Sequence, residues 1–214
     1  MLAYFQKHPE KIINPLLEHI QLVLVTLLIS VLVAALLTVL SVRFQKLGHV
    51  LLQVFSVIYS IPSLALFALL IPITGLGFTT AVIVLVLYNQ YLLLRNFLTG
   101  LNEVDPAIRE AARGIGMTEM QMLYKVQIPL AKKALFAGLR LAVVSTIGIG
   151  TIASSINAGG LGDLLFDGLR TMNTAKILWG SLLSAGLAVG LNALLKLAET
   201  DKKETEKVAK KKAV

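Results

Sequence analysis

Between His49 and Arg95 the chain carries no Asp, Glu, Lys, Arg or His. Wound as one helix, residues 50–94 would extend about 68 Å at ~1.5 Å per residue, roughly twice the ~30 Å hydrocarbon core of a bilayer. A run this long and this apolar has to fold back. The breakers mark the place: Pro72, Gly75 and Gly77 fall together in Pro-Ile-Thr-Gly-Leu-Gly. Two membrane spans result, 50–71 and 78–98. Pro62 lies inside the first and predicts a kink, because proline removes a helix hydrogen bond and clashes with the preceding turn. Such a kink would suit a gate, and it would equally suit plain packing.

The same reading yields three more spans. Residues 20–42 lie uncharged between His19 and Arg43, 134–156 contain only Arg140, and 177–195 lie between Lys176 and Lys196. Arg140 sits close enough to its span end to snorkel. The chain is 56% hydrophobic and 15% charged, with a mean hydropathy of +0.79, too apolar for an ordinary soluble domain. The expected fold is all-α: a polytopic membrane protein with five transmembrane helices. Residues 1–19 read as an N-terminal interfacial segment, 20–198 as the transmembrane domain and 199–214 as a Lys-rich tail. The start is no convincing signal peptide, since the apolar run is too long and no small-residue site closes it. Small residues in 134–156 and the Gly186/Gly190 spacing favour close helix contact. Residues 157–176, opening with Asn-Ala-Gly-Gly-Leu-Gly-Asp, read as a short loop.

One polar stretch interrupts the bundle, residues 102–130. Asp105 suits an N-cap and Pro106 the first helical position, so a short helix is expected from there to Arg113. Gly114 and Gly116 stop it. Thr118 and Gln121 have capping-box spacing and start a second helix, which Pro129 forbids from continuing far. The outcome is a helix–turn–helix outside the bilayer. Ala107 and Ala111 form a small-residue face on the first helix, with Arg109, Glu110 and Arg113 at its edge. A solvated hairpin with internal Glu–Arg pairs would show the same capping signals.

Several chemistries are missing. No Gly-x4-Gly-Lys-Ser/Thr loop is present, so ATP hydrolysis belongs elsewhere. There is no cysteine, and His8, His19 and His49 share no ligand spacing; each falls near an expected membrane surface, and metal binding is not expected. No Asp or Glu lies within the spans to relay protons, and Arg95 and Arg140 look like anchors. The net charge is +8, but the bases gather in loops and tail, which fits a cytoplasmic membrane face and not nucleic acid.

The run Glu110-Ala111-Ala112, then Gly116, then Val126-Gln127-Ile128-Pro129 resembles the EAA motif of ABC importer permeases, at every fixed position. In that family the loop docks in a groove of a cytoplasmic ATPase. The resemblance implies that Glu110, Ala111, Ala112, Gly116 and Pro129 make or shape that contact. Further stretches are similar to osmoprotectant permeases: Ile61-Pro62-Ser63-Leu64-Ala65-Leu66-Phe67, Arg95-Asn96 with Gly100, Gly138-Leu139-Arg140, and Ile156-Asn157-Ala158-Gly159-Gly160-Leu161-Gly162. Together they cover roughly residues 20–198. The resemblance implies the type I importer permease fold shared with methionine importers, and uptake of glycine betaine, carnitine or choline. It implies a cytoplasmic ABC ATPase dimer, a second permease subunit (the same chain or a sister) and an extracellular or lipid-anchored substrate-binding protein. It also implies a bacterial cell membrane. The Lys and Arg residues of the first loop, the polar stretch and the tail fall on one side of a five-span chain, which places that side and the C-terminus in the cytoplasm and the N-terminus outside. No cofactor is expected. A trimethylammonium solute favours aromatic faces, so Tyr59, Tyr88 and Tyr91, with Pro62, are candidates to line the passage; core or interfacial packing is the plainer role for them. Other readings are a permease for another small zwitterion or an amino acid such as methionine, or an ATP-independent channel or scaffold.

Overall fold

A computed structural model describes residues 2–199, and within them every regular element is helical. Apart from Glu199, the Lys-rich tail lies outside the described residues. Helix α1 covers Leu2–Lys7, and α2 runs unbroken over Glu10–Arg43. The expected interfacial segment therefore continues directly into the first span. Pro15 is tolerated because, in the second turn, it forgoes a single backbone bond, to the carbonyl of Lys11.

Helix α2 is amphipathic in the inverse of the soluble sense. Leu24, Leu28, Leu32 and Leu36 are 57–64% exposed, while Thr26, Ser30, Ala34 and Thr38 are buried. A spacing of four places each set on its own face. Leucine outward and small or hydroxyl residues inward is the pattern of a helix whose solvent is lipid. Two of the inward hydroxyls are paired: Thr38 donates to the Ala34 carbonyl at 2.7 Å, and Ser30 Oγ accepts from Asn89; that of Thr26 has no partner among the described residues.

Helices α3 (Gln45–Ser60) and α4 (Ser63–Thr74) meet at Ile61-Pro62 with a bend of 99°. The sequence predicts a kinked span here; the structure has a full break. Ile61 and Pro62 both take extended backbone, ψ 132° and 135°, as a proline imposes on the residue before it. The hydroxyl of Tyr88 donates to the Ile61 carbonyl, which the break leaves without a helical partner. By length and composition the described residues hold four helices able to span a membrane, or five with the bent pair counted as one.

Gly75 and Gly77, at φ 81° and 107°, turn the chain into α5 (Phe78–Asn102). This helix is the hub, packed against α2, α3, α4 and α9 (Lys132–Ala153). At its centre Asn89 donates to Ser30 Oγ at 3.1 Å and Thr146 Oγ1 at 2.8 Å, and Gln90 donates to the Ser30 carbonyl at 3.3 Å. These buried amides tie α2, α5 and α9 together where no water can compete. The backbones of α5 and α9 also come close: a Cβ on Gly100 would fall 2.4 Å from that of Ala134.

The segment read as a loop contains a helix, α10 (Leu161–Arg170), packed on α2, α9 and α11 (Thr174–Glu199). Leu161 and Leu164 are its buried apolar residues. Too few turns separate the glycines from Lys176 for the sequence to read as a membrane helix, and it lies outside the spans. The carboxylate of Glu18 accepts from the Gly160 amide at 3.0 Å. Asp167 accepts from Lys176 Nζ at 2.5 Å and from Arg170 at 3.1 Å, which together hold its carboxyl below the usual carboxylate range. His19, expected near a surface, is fully buried under Gly150 and Gly160. Arg140 is paired with Glu199, where the sequence suggested snorkelling.

Two glycine expectations separate. Thr146 and Gly150 of α9 do face the core. Among the described residues, Gly186 and Gly190 have no atom within 4 Å of an added Cβ, so their spacing serves no contact there. The α11 they belong to is the outermost span, with only 6% of its apolar window buried. By contrast, a Cβ on Gly162 would fall 2.0 Å from the Thr151 carbonyl oxygen. Gly162→Ala is expected to cost ~1–3 kcal/mol by overpacking and to lower the melting temperature of the detergent-purified protein. Gly186→Ala should leave it unchanged or raise it slightly, since alanine is the better helix former by ~1 kcal/mol.

Candidate coupling surface and passage

The polar hairpin is built as its capping residues dictate. The Asp105 carboxylate accepts from the Ala107 amide at 2.8 Å and starts α6 (Pro106–Gly114), with Pro106 at its first position. The helix ends in a Schellman motif: Met117 N–H bonds the Ala112 carbonyl at 3.1 Å, and Gly116 N–H bonds that of Arg113 at 2.9 Å. Gly116, at φ 82°, is the left-handed residue that this motif requires. Gly114 stays within the helix, so one glycine of the expected pair does the stopping.

Helix α7 (Glu119–Met122) begins with the full capping box. Gln121 N–H donates to Thr118 Oγ1 at 3.2 Å, and Thr118 N–H donates to Gln121 Oε1 at 3.0 Å. Arg113 bridges to Glu119 at 3.2 Å and joins the two helices. Both partners are more than half exposed, so the pair contributes geometry more than stability. The second helical stretch does not run far past Pro129, as expected, but the proline itself is wound into it. The chain winds into a π-helix at Leu123–Gln127, passes through α8 (Ile128–Leu130) and turns at Ala131 into α9. The wide turns move the Ile128 N–H to the Leu123 carbonyl, five residues back, and this shift in register accommodates the proline.

Of the residues singled out by the sequence, Glu110, Ala111, Gly116 and Pro129 are exposed and Ala112 is buried. Ala107 is also exposed, and Ile108 and Ile115 are exposed apolar residues beside it. The surface of α6 is therefore a small-residue platform with an acidic side chain on it. Behind the hairpin lies a cavity of about 310 Å³, lined by Ser41, Leu98, Arg109, Arg113, Glu119 and Gln127 among others. No sequence signal pointed to this cavity, because its walls come from α2, α3, α5, α6 and α7 and the π-turn at once.

The three tyrosines do come together. Tyr59 stacks at 5.1 Å on Tyr91 and meets the edge of Tyr88 at 5.6 Å. They cluster beside the break at Pro62, which is itself exposed. Tyr88 is buried and bound to the Ile61 carbonyl, whereas Tyr59 keeps an open face. The Asn89–Ser30–Thr146 network was not foreseen, since isolated amides and hydroxyls in apolar helices carry no spacing signature.

A bundle of lipid-facing helices with one capped hairpin projecting from it defines a polytopic membrane permease. Residues 26–199 match the family model described as the binding-protein-dependent transport system inner membrane component, and the chain belongs to that family. It is 39% identical over 183 residues to the osmoprotectant import permease protein OsmW of Salmonella typhimurium, covering 83% of this chain and 85% of that one. It is 33% identical over 199 residues to the choline transport system permease protein OpuBB of Bacillus subtilis, covering 93% and 92%. It is 35% identical over 182 residues to the carnitine transport permease protein OpuCB of Listeria monocytogenes, covering 85% and 84%. In fold it is similar to an inward-facing MetNI methionine ABC transporter, with TM-score 0.74 at 19% identity over 90% of this chain and 94% of that one. An amino acid ABC transporter gives 0.77 at 21% identity over 93% and 97%.

Loss of the capping hydroxyl should loosen the hairpin without unfolding the bundle. Thr118→Ala is expected to cost ~1 kcal/mol locally and to speed amide hydrogen exchange at Gln121, while exchange in α5 and α9 stays unchanged.

Proposed function

We propose that this chain is the transmembrane subunit of an ATP-driven importer that takes up glycine betaine, carnitine or choline by alternating access. The observation that carries the reading is the doubly capped hairpin, which presents Glu110, Ala111 and Gly116 of the EAA motif to solvent on an otherwise lipid-facing bundle. The solute class is supported by relatives at 33–39% identity whose names specify choline and osmoprotectants.

The chain has no phosphate-binding loop, so the energy comes from a separate ATPase dimer seated on α6. A second permease subunit and an extracellular or lipid-anchored binding protein complete the assembly. Arg109, Arg113, Lys125, Lys132 and Lys133 in the hairpin, with Arg43 and Lys46, support a cytoplasmic position for it. The N-terminus is then outside and the Lys-rich tail inside.

The mechanism follows from how the hairpin is attached. Its first end is continuous with α5 and its second with α9, the two helices held by Asn89 and by the close approach at Gly100. When ATP closes the ATPase dimer, the hairpin moves as a stiff handle and carries α5 and α9 with it. The passage opens outward to accept solute, and hydrolysis returns it inward. Tyr59 and Tyr91 with Pro62 line that passage at the α3–α4 break, with the buried Tyr88 behind them, and an aromatic face there attracts a quaternary ammonium by ~0.5–2 kcal/mol.

Charge reversal at Glu110→Lys alters an exposed side chain and leaves the bundle intact. The expected result is at least a ~10-fold loss of ATP-dependent glycine betaine uptake, equivalent to ~1.4 kcal/mol of coupling, with less ATPase co-purifying and normal permease levels in the membrane. Undiminished uptake in both Glu110→Lys and Gly116→Leu would end the proposal.

A further inference from the structure

A cavity of about 450 Å³ opens between α3 and α5, lined by Leu52, Gln53, Ser56 and Val57 on one side and Tyr91 and Arg95 on the other. Its volume falls in the ~300–1,000 Å³ range of small-molecule sites. Arg95 lies seven residues before the end of α5, about 10 Å along the axis at ~1.5 Å per residue. It is exposed, three residues inside the expected end of its span at residue 98, so its head group is open to a ligand. Arg95 donates to the Tyr91 hydroxyl at 2.9 Å and rests 5.8 Å from that ring, and among the described residues no carboxylate pairs with it. Its guanidinium retains donors in the fork geometry that fits a carboxylate.

Tyr91 joins this cation to an aromatic face. Tyr59 stacks on it at 5.1 Å and is 37% exposed. Tyr88 steadies Tyr59 from the edge while its own hydroxyl is held by Ile61. One end of the site therefore attracts an anion and the other attracts a cation through its ring. Gln53 and Ser56 supply amide and hydroxyl groups between them. This bipolar arrangement matches a short zwitterion.

We propose that the α3–α5 cavity is a transit subsite for the carried solute, with Arg95 receiving the carboxylate and the open face of Tyr59 beside it receiving the quaternary ammonium. The inference rests on the proposed function and deepens it, because it assigns solute discrimination to the permease itself. Glycine betaine and carnitine carry both charges; choline has the ammonium and a hydroxyl but no carboxylate. Arg95 thus favours the first two, while Tyr59 serves all three. An arginine that only anchors α5 to lipid headgroups would serve every solute alike.

The test is uptake by the assembled importer, permease with its ATPase and binding protein, in proteoliposomes loaded with ATP. Radiolabelled glycine betaine and choline are supplied with the binding protein saturated. Arg95→Gln should slow glycine betaine by at least about tenfold, the scale of a charge-assisted hydrogen bond, and choline by no more than about twofold; Arg95→Lys should fall between. Equal slowing of both solutes, or of neither, in complexes that retain their ATPase overturns the subsite. Should Arg95→Gln not assemble, Tyr59→Leu and Tyr59→Phe probe the same place. Leucine should slow both solutes several-fold and phenylalanine should not, and identical behaviour of the two overturns it. A wild-type complex that carries neither of these solutes nor carnitine refutes the proposed function, and the subsite with it; a wild-type complex that carries them but shows no discrimination at Arg95 refutes the subsite alone.

Discussion

Everything in this fold answers to the cost of an unpaired backbone group in hydrocarbon, several kcal/mol each where no water is present. Helices meet that cost along most of the chain. The places where the helix stops are the ones that need explanation, and each has a specific partner. The break at Ile61-Pro62 is closed by the Tyr88 hydroxyl, and the turn at Gly75 by Thr80, whose hydroxyl donates to its carbonyl at 2.5 Å. The Gly160 amide is met by Glu18 from a helix more than a hundred residues away in sequence. Asn89 follows the same rule by finding Ser30 and Thr146, and the leucines of α2 turn outward because lipid accepts them.

The hairpin obeys the opposite rule, since its backbone ends face water and are satisfied by short polar side chains. Asp105, Thr118 and Gln121 cap it, and Gly116 closes its first helix. A loop of this length without caps would bend under load. With them it is a stiff object attached at both ends to the pair of helices most closely engaged in the core, α5 and α9. In the proposed mechanism, a push at Ala111 is passed to α5 and α9, which carry Asn89 and Thr146.

Much of this was legible before any coordinates. The uncharged run at 50–94 forces a fold-back, and Gly75 and Gly77 turn where expected. The cap residues of the hairpin behave as their chemistry requires, because capping is local. What was not legible is non-local or contextual. Pro62 implied a kink, but the extent of the break depends on Tyr88 arriving from α5. Pro129 implied an early end, which comes at Leu130, but the π-helix that takes the proline in was not implied. Helix α10 was hidden because its ten residues are too few and too glycine-rich to stand out, and His19 looked superficial until Gly150 and Gly160 packed over it. Among the candidate site residues, the sequence named the motif; the structure separated the exposed Glu110, Ala111 and Gly116 from the buried Ala112.

The central claim is that a handle on the inner face of the membrane drives the bundle. With no cysteine in the chain, a single Ala111→Cys substitution reports the side directly. In intact cells, a membrane-impermeant maleimide should leave Cys-substituted permease unlabelled, and opening the cells should make it reactive until the ATPase binds and shields it. Labelling from outside in sealed cells would put the hairpin out of reach of any cytoplasmic ATPase and contradict the account.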